Sequence, residues 1–106
     1  MDNFNIIYKI LKNLEIAMDY DEFDIESISA ETLGISENRW NAIIEMMINE
    51  NYIKGVAIIN NIGGRGVKIG RDIRITLAGL EYLENNSMMA KAKNIAKGIK
   101  EIIPGL

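Results

Sequence analysis

Several amide side chains in one predicted helix could form paired hydrogen bonds with the edges of nucleobases. We expect a helix over Glu37–Asn51, and Asn38, Asn41 and Asn49 lie on the side of it that faces away from the apolar residues. Asparagine can bond bidentately to adenine, and the methyl group of Ala42 on the same side could contact a thymine methyl. These residue types therefore predict a surface able to read bases.

The same face carries little positive charge. Arg39 lies at its flank, and Glu45 would repel phosphates unless it met a cytosine amine. Cations usually supply most of the affinity for a phosphate backbone. The face is therefore either a recognition surface or a solvated polar face, and the sequence leaves both interpretations open.

Cations gather in the β-ribbon that we expect after this helix. Arg65, Lys68, Arg71 and Arg74 fall within ten residues and are opposed only by Asp72. Glycines at the predicted tip would let the backbone approach phosphates or a minor groove closely. We expect the first three cations to contact phosphates. The alternative is a solvated hairpin whose charges protect its edge from aggregation.

The composition argues against catalysis. The 106 residues include no cysteine and no histidine, which removes thiolate chemistry, the commonest general base and the commonest metal ligand. The acidic stretch 19–24 lacks the ligand spacing, the central glycine and the closing glutamate of a calcium loop. We therefore expect no enzymatic activity, no metal and no cofactor.

The formal net charge of −3 conceals an uneven distribution. Residues 1–53 hold eleven acids and three bases, whereas residues 54–106 hold nine bases and four acids. This split predicts a field gradient across a single domain that spans residues 1–106, provided that the two halves do not interleave in space, as in a winged helix they partly do. No apolar run approaches the ~20 residues that cross a bilayer. The first residues lack a basic signal region, so we expect a cytoplasmic protein without a membrane span.

Apolar spacing and turn residues predict a helix-turn-helix. Ser27 or Ser29 can cap a short second helix that ends at Leu33. Gly34 suits the left-handed conformation that follows a helix, and Ser36 caps the third helix. The small and apolar residues expected to join the two helices are Ala30, Leu33, Ile35, Trp40 and Ile43.

A first helix over about Asn3–Ala17 and the two-stranded ribbon complete the expected core. The ribbon strands are predicted at 56–59 and 67–75, with a possible bulge at Gly70. These elements predict an α+β domain, mostly α, of the winged helix-turn-helix type. Such a fold presents a helix and a wing to a partner, which is often duplex DNA.

Two further helices are predicted at the end of the sequence. Thr76 can cap a fourth helix to about Glu84, and Ser87 a fifth helix over about 87–103. The fifth helix would carry an apolar side, made by Met88, Met89, Ala92, Ile95, Ala96, Ile99, Ile102 and Ile103, and an opposite side with Lys93, Lys97 and Lys100. It could cap the core against the first helix, pair with its counterpart in a second subunit, or lie on an anionic membrane.

Three segments carry a resemblance to a known family. They are residues 8–12 of the opening helix, the junction 50–55, and the stretch 75–85, which is also widespread in other winged-helix proteins. In these segments, and along its whole length, the chain resembles the YjcQ-like family of small winged-helix proteins from bacteria and their phages. The resemblance implies a winged-helix fold, a DNA-linked role and no enzymatic activity. The resemblance gives no set of binding residues that could be assigned to positions in this chain.

The leading hypothesis is a non-catalytic, phage- or prophage-linked protein that binds DNA or regulates transcription. The residues assigned to the major groove are Asn38, Arg39, Asn41 and Asn49, and those assigned to phosphates from the wing are Arg65, Lys68 and Arg71. A homodimer formed through the C-terminal helix would place two copies on a pseudo-palindrome. The alternative is a protein-interaction module that uses the acidic N-terminal half and the polar face of the third helix.

Overall fold

Helices and one β-hairpin form the domain. The computed structural model describes residues 2–61 and 63–96, and the side chains of these residues apart from 61, 65 and 87–96. The elements in chain order are α1 (Asn3–Ala17), a 3-10 helix (Ile25–Ile28), α2 (Ala30–Leu33), α3 (Glu37–Asn49), β1 (Ile53–Asn61), β2 (Gly64–Ile75) and α4 (Leu77–Ala96). The described chain is therefore mixed α+β and mostly helical, as expected.

The turn between α2 and α3 has the predicted capping residues. Ser29, and not Ser27, caps α2, and its side-chain oxygen accepts a hydrogen bond from the backbone N–H of Thr32 at 3.1 Å. Gly34 ends α2 with a φ of 71°, a left-handed conformation that glycine adopts without steric cost. The hydroxyl of Ser36 accepts from the N–H of Arg39 at 3.1 Å and so fixes the first turn of α3.

The core lies where α1, α3 and the base of the hairpin meet. Trp40 is buried, and its indole Nε1–H donates to the carbonyl oxygen of Ile28 at 2.7 Å. This bond ties α3 to the 3-10 helix, since a buried carbonyl needs a partner. The fully or nearly fully buried apolar residues are Ile6, Ile10, Leu11, Leu14, Ile28, Ala30, Leu33, Trp40, Ile43, Ile44, Met47, Ile53, Ile73, Ile75 and Leu83.

The hairpin is longer than predicted and has a shift in register. β1 and β2 are antiparallel. Lys54 pairs with Arg74, but Val56, two residues further along β1, pairs with Ile69, five residues earlier in β2, so the register shifts between these two pairs. The predicted irregularity at Gly70 lies within the shifted stretch of β2. Opposite it, Gly55 has a φ of 84°, and a Cβ there would lie 2.7 Å from the Cα of Ile73. Only glycine allows this close crossing, which separates the base of the hairpin from its outer part.

Thr76 joins the end of α3 to the start of α4. Its backbone N–H donates to the carbonyl of Tyr52 at 3.0 Å, and its hydroxyl donates to the carbonyl of Asn51. The same hydroxyl accepts from the N–H of Gly79 at 3.1 Å and so caps α4. Asn51 has a φ of 61°, which lets the chain leave α3 and enter β1.

The prediction of separate fourth and fifth helices was wrong. α4 runs without a break from Leu77 to Ala96, through the Asn85–Ser87 stretch. Asparagine costs only a few tenths of a kcal/mol in a helix interior, and here the side chain of Asn86 donates to the carbonyl of Tyr82 at 2.8 Å. The predicted continuation over 97–103 lies outside the described residues. No described helix is long and apolar enough to cross a membrane.

Candidate nucleic-acid interface

The N-terminal half of α3 presents a polar surface. Asn38 and Ala42 are exposed, and Asn41 is half-buried beside them. The burial of Trp40, Ile43 and Ile44 on the other side fixes this orientation. The structure therefore brings two of the predicted amides together on the outer face of α3.

Arg39 lies at the edge of this surface and is engaged with α1. Its Nε–H donates to the side-chain oxygen of Asn3 at 2.8 Å, and the residue is half-buried. An arginine held in this way positions the start of α1 against α3. Its predicted contact with DNA would have to use the remaining guanidinium N–H groups.

Asn49 lies at the opposite end of α3. Eleven residues separate it from Asn38, a distance of about 16 Å along a helix axis. It is exposed, and it borders an apolar groove together with Met46 and Tyr52. The structure therefore does not bring Asn49 together with the other predicted amides, and its role in contacting DNA stays a prediction.

Lys68 is the wing cation that the structure places near the start of α3. It is exposed, pairs across the hairpin with Ala57, and borders a hollow of about 370 Å³. Glu37 and Trp40 of α3 and Glu26 of the 3-10 helix border the same hollow. A cation and two carboxylates thus flank one recess beside the polar surface of α3.

Arg71 lies apart from Lys68, beyond the shift in register. It borders a hollow of about 400 Å³ together with Asp21, Glu22 and Phe23 of the loop after α1. The acidic loop therefore offsets part of the positive charge at the hairpin base. Arg65, the third predicted wing cation, is paired through its backbone with Asn60 near the tip, and its side chain lies outside the described set.

Lys54 was not identified from the sequence as a neighbour of Arg74 at the hairpin base. Lys54 and Arg74 are cross-strand partners, and both are exposed. Directly opposed residues on one sheet face lie roughly 4.5–5.5 Å apart at Cβ, and like charges there repel. The antiparallel register brings Lys54 and Arg74 together. The sequence held a signal for this pairing, because the two cations alternate with Ile53, Ile73 and Ile75, which are buried.

The described residues offer no metal centre. Among residues 2–61 and 63–96, no group of three or more acidic side chains lies close enough to hold an ion. The one ion pair found among the described side chains joins Lys12 Nζ to Glu15 Oε1 at 2.8 Å on the surface of α1, and this hydrogen bond raises the pKa of Lys12.

Comparison with known proteins identifies the family. The model of the YjcQ protein family matches residues 8–102, which is most of the chain. No curated protein and no solved structure gave a significant match. The match covers all three segments on which the resemblance was based. The chain belongs to the YjcQ family.

Proposed function

We propose that this protein is a winged helix-turn-helix that binds duplex DNA without catalysis. In this proposal α2 and α3 are the helix-turn-helix, α3 approaches the major groove, and the hairpin is the wing. The family resemblance suggests a phage- or prophage-linked regulator of transcription, and the first residues, without a basic signal region, suggest a cytoplasmic one. DNA contacts would come from the amides of α3 and from cations of β2.

The observation that supports the proposal best is the position of Lys68 beside the polar end of α3. Asn38 is exposed on a helix whose first turn is capped by Ser36 and whose inner side is anchored by Trp40. Lys68 is exposed at the neighbouring hollow. In DNA recognition, contacts to bases give sequence specificity, and contacts to phosphates fix the position of the protein on the duplex. A fixed polar helix end next to a cation offers groups for both kinds of contact.

Fluorescence anisotropy with random duplex DNA at two salt concentrations tests the proposal. Each phosphate contact contributes about 0.9 to the slope of log affinity against log salt. We expect Lys68→Ala to reduce that slope by about 0.9 and to weaken binding at low salt. Lys9→Ala is the matched control, because Lys9 is also exposed but lies on α1.

Two results would contradict the DNA proposal. One is undetectable binding at low salt, where phosphate contacts are strongest. The other is an equal loss for Lys68→Ala and Lys9→Ala, which would indicate binding through net charge and not through the wing.

Acidic groups beside Lys68 support a second candidate, a module that binds a basic protein partner. Glu26 and Glu37 border the recess next to α3, and the N-terminal half of the chain is strongly acidic. The variant Glu37→Gln separates the two candidates, with a lysine-rich peptide as the probe. Tighter binding to DNA is expected if α3 faces phosphates, whereas loss of peptide binding is expected if α3 faces a basic protein.

The proposed DNA-binding form is a homodimer in which α4 makes the contact between subunits. α4 is the longest described helix, with 20 residues, and offers an extended surface for this contact. A dimer would place two α3 helices on successive half-sites of a pseudo-palindrome.

A further inference from the structure

An apolar groove lies between the start of α1, the end of α3 and the first turns of α4. It has a volume of about 310 Å³, and its lining consists of Phe4, Ile7, Met46, Met47, Asn49, Glu50, Tyr52 and Tyr82. Phe4 is 70% exposed and Met46 is 47% exposed. Two large apolar side chains left open at one groove mark a contact surface, because contiguous exposed apolar area is costly in water.

The floor of the groove is well ordered by packing. The rings of Tyr52 and Tyr82 lie 4.9 Å apart and are tilted by 39°, a geometry that is favourable for aromatic pairs. Burial raises the pKa of Tyr82, and the neighbouring charges of Tyr52 and Asp2 add to the effect. A preformed floor lowers the entropic cost of binding a partner.

The rim of the groove is acidic. Glu50 lines one end of it, and Asp2 is the N-cap of α1, two residues before Phe4 of the lining. Asp2 stays in place because its carboxylate caps α1 by accepting from the N–H of Asn5 at 2.8 Å. The groove therefore suits an apolar segment that also carries cations.

The second half of α4 has that composition. Residues 88–96 read Met-Met-Ala-Lys-Ala-Lys-Asn-Ile-Ala, with two lysines and no acids. Positions 82, 89 and 96 are spaced by seven residues, so a continuous helix carries them along one side. This spacing places positions 89 and 96 in line with Tyr82 along the helix.

This segment cannot fill the groove of its own chain. α4 continues unbroken from Tyr82 at the groove to Ala96. At 1.5 Å per residue its end lies about 21 Å beyond Tyr82, and a straight helix does not fold back on itself. If residues 88–96 fill the groove, they therefore belong to a second molecule.

We propose that residues 88–96 of a second copy occupy this groove, with the two α4 helices antiparallel. Each copy then supplies one groove and one segment, which gives a closed two-fold contact. Lys91 and Lys93 of the segment would meet the acidic rim at Glu50 and Asp2. This inference rests on the proposed dimer, for which it supplies the contact surface, and is independent of DNA binding.

Sedimentation velocity of the full-length protein without DNA tests the contact. We expect a dimer whose dissociation constant rises at least tenfold in Met46→Lys, because a cation is then placed in the groove opposite the lysines of the segment. Met18→Lys is the matched control, since Met18 is 59% exposed and lies at the end of α1, outside the groove lining. The control should leave the dissociation constant unchanged.

A charge exchange identifies the partner segment. Glu50→Lys alone, and Lys91→Glu with Lys93→Glu, should each raise the dissociation constant several-fold, and the triple variant should recover most of the loss. Such recovery requires that the rim of one copy meets the segment of another.

The possible outcomes distinguish an error about this groove contact from an error about dimerisation itself. A dimer that is insensitive to Met46→Lys and to the charge exchange overturns this groove contact and leaves dimerisation through another surface. A monomer at the highest attainable concentration overturns both this groove contact and the proposed dimer. In that case a different partner or an apolar ligand covers the groove. Anisotropy measured on the same samples reports DNA binding separately.

Discussion

The two ends of α3 present opposite kinds of surface. The N-terminal end exposes Asn38 beside the cation of Lys68, whereas the C-terminal end exposes Met46 beside Phe4 and an aromatic floor. Both ends depend on the same buried side of the helix, which includes Trp40 and Met47. In the two proposals above, one helix serves two partners, nucleic acid at its polar end and a second copy at its apolar end.

The largest effect is expected from a variant that removes the core packing on which both surfaces depend. Trp40→Ala deletes a buried indole and leaves the carbonyl of Ile28 without its donor. Loss of a buried aromatic side chain typically lowers the free energy of unfolding by about 3–5 kcal/mol. Urea denaturation should show this loss, and both DNA binding and dimerisation should fall together. A stable variant that kept only one of these activities would show that the two ends are supported separately.

A second variant acts mainly on the apolar end. A Cβ at Gly79 would lie 2.7 Å from Cγ1 of Ile75 and closer still to the carbonyl oxygen of Tyr52. Alanine normally favours a helix over glycine by about 1 kcal/mol, but overpacking against backbone costs about 1–3 kcal/mol, so we expect Gly79→Ala to be destabilising. Because Tyr52 forms the groove floor, dimerisation should weaken more than DNA binding.

The control for this variant lies one position earlier. Ala78→Gly changes the same turn of α4 without adding atoms, so its loss of stability should reflect helix propensity alone. Thermal melts and sedimentation of the two variants compare these effects. A stabilised Gly79→Ala would contradict the close packing of α4 on Tyr52.

A smaller effect is expected at the polar end. Ser36→Ala removes the acceptor for the N–H of Arg39, and the loss of such a cap costs about 1 kcal/mol. Ser36→Asp should restore most of the stability, because aspartate also caps helices and suits their positive end. Chemical denaturation measures both variants. Equal stability of Ser36→Ala and the parent chain would mean that the cap contributes nothing.

The smallest effect on stability is expected at the exposed amide. Asn38→Ala should change the free energy of unfolding by less than about 0.5 kcal/mol. If Asn38 bonds to a base, discrimination between preferred and altered sites should fall by about 1–3 kcal/mol. Fluorescence anisotropy with a selected DNA site and its single-base variants measures this discrimination. Unchanged discrimination would leave the amide as part of a solvated face.

The sequence predicted most of the local structure because local rules govern it. The bounds of α1, the cap Ser36, the left-handed Gly34 and the buried Trp40 follow from residue type and period, and the cap of α2 was narrowed to Ser27 or Ser29. The structure also contains the predicted hairpin. These features depend on interactions between residues near in sequence, whose propensities agree with the observed structure.

Features formed between distant segments were not predicted. The register shift at Gly55 brings Lys54 opposite Arg74, and the bond from Arg39 to Asn3 joins residues that are 36 positions apart. The Asn85–Ser87 stretch has polar residues typical of a break, yet α4 continues through it. The first two features join segments that are distant in sequence, and the third reflects a local preference that is too weak to end a helix.

The bonds made by Thr76 have a geometric consequence for an assembly. Its N–H and hydroxyl bind the carbonyls of Tyr52 and Asn51 at the end of α3, so α3 and α4 are held at a constant angle by hydrogen bonds. If two copies pair through α4, that angle sets the separation of their α3 helices. The spacing between the halves of a bound palindrome would then be determined at Thr76, far from any base.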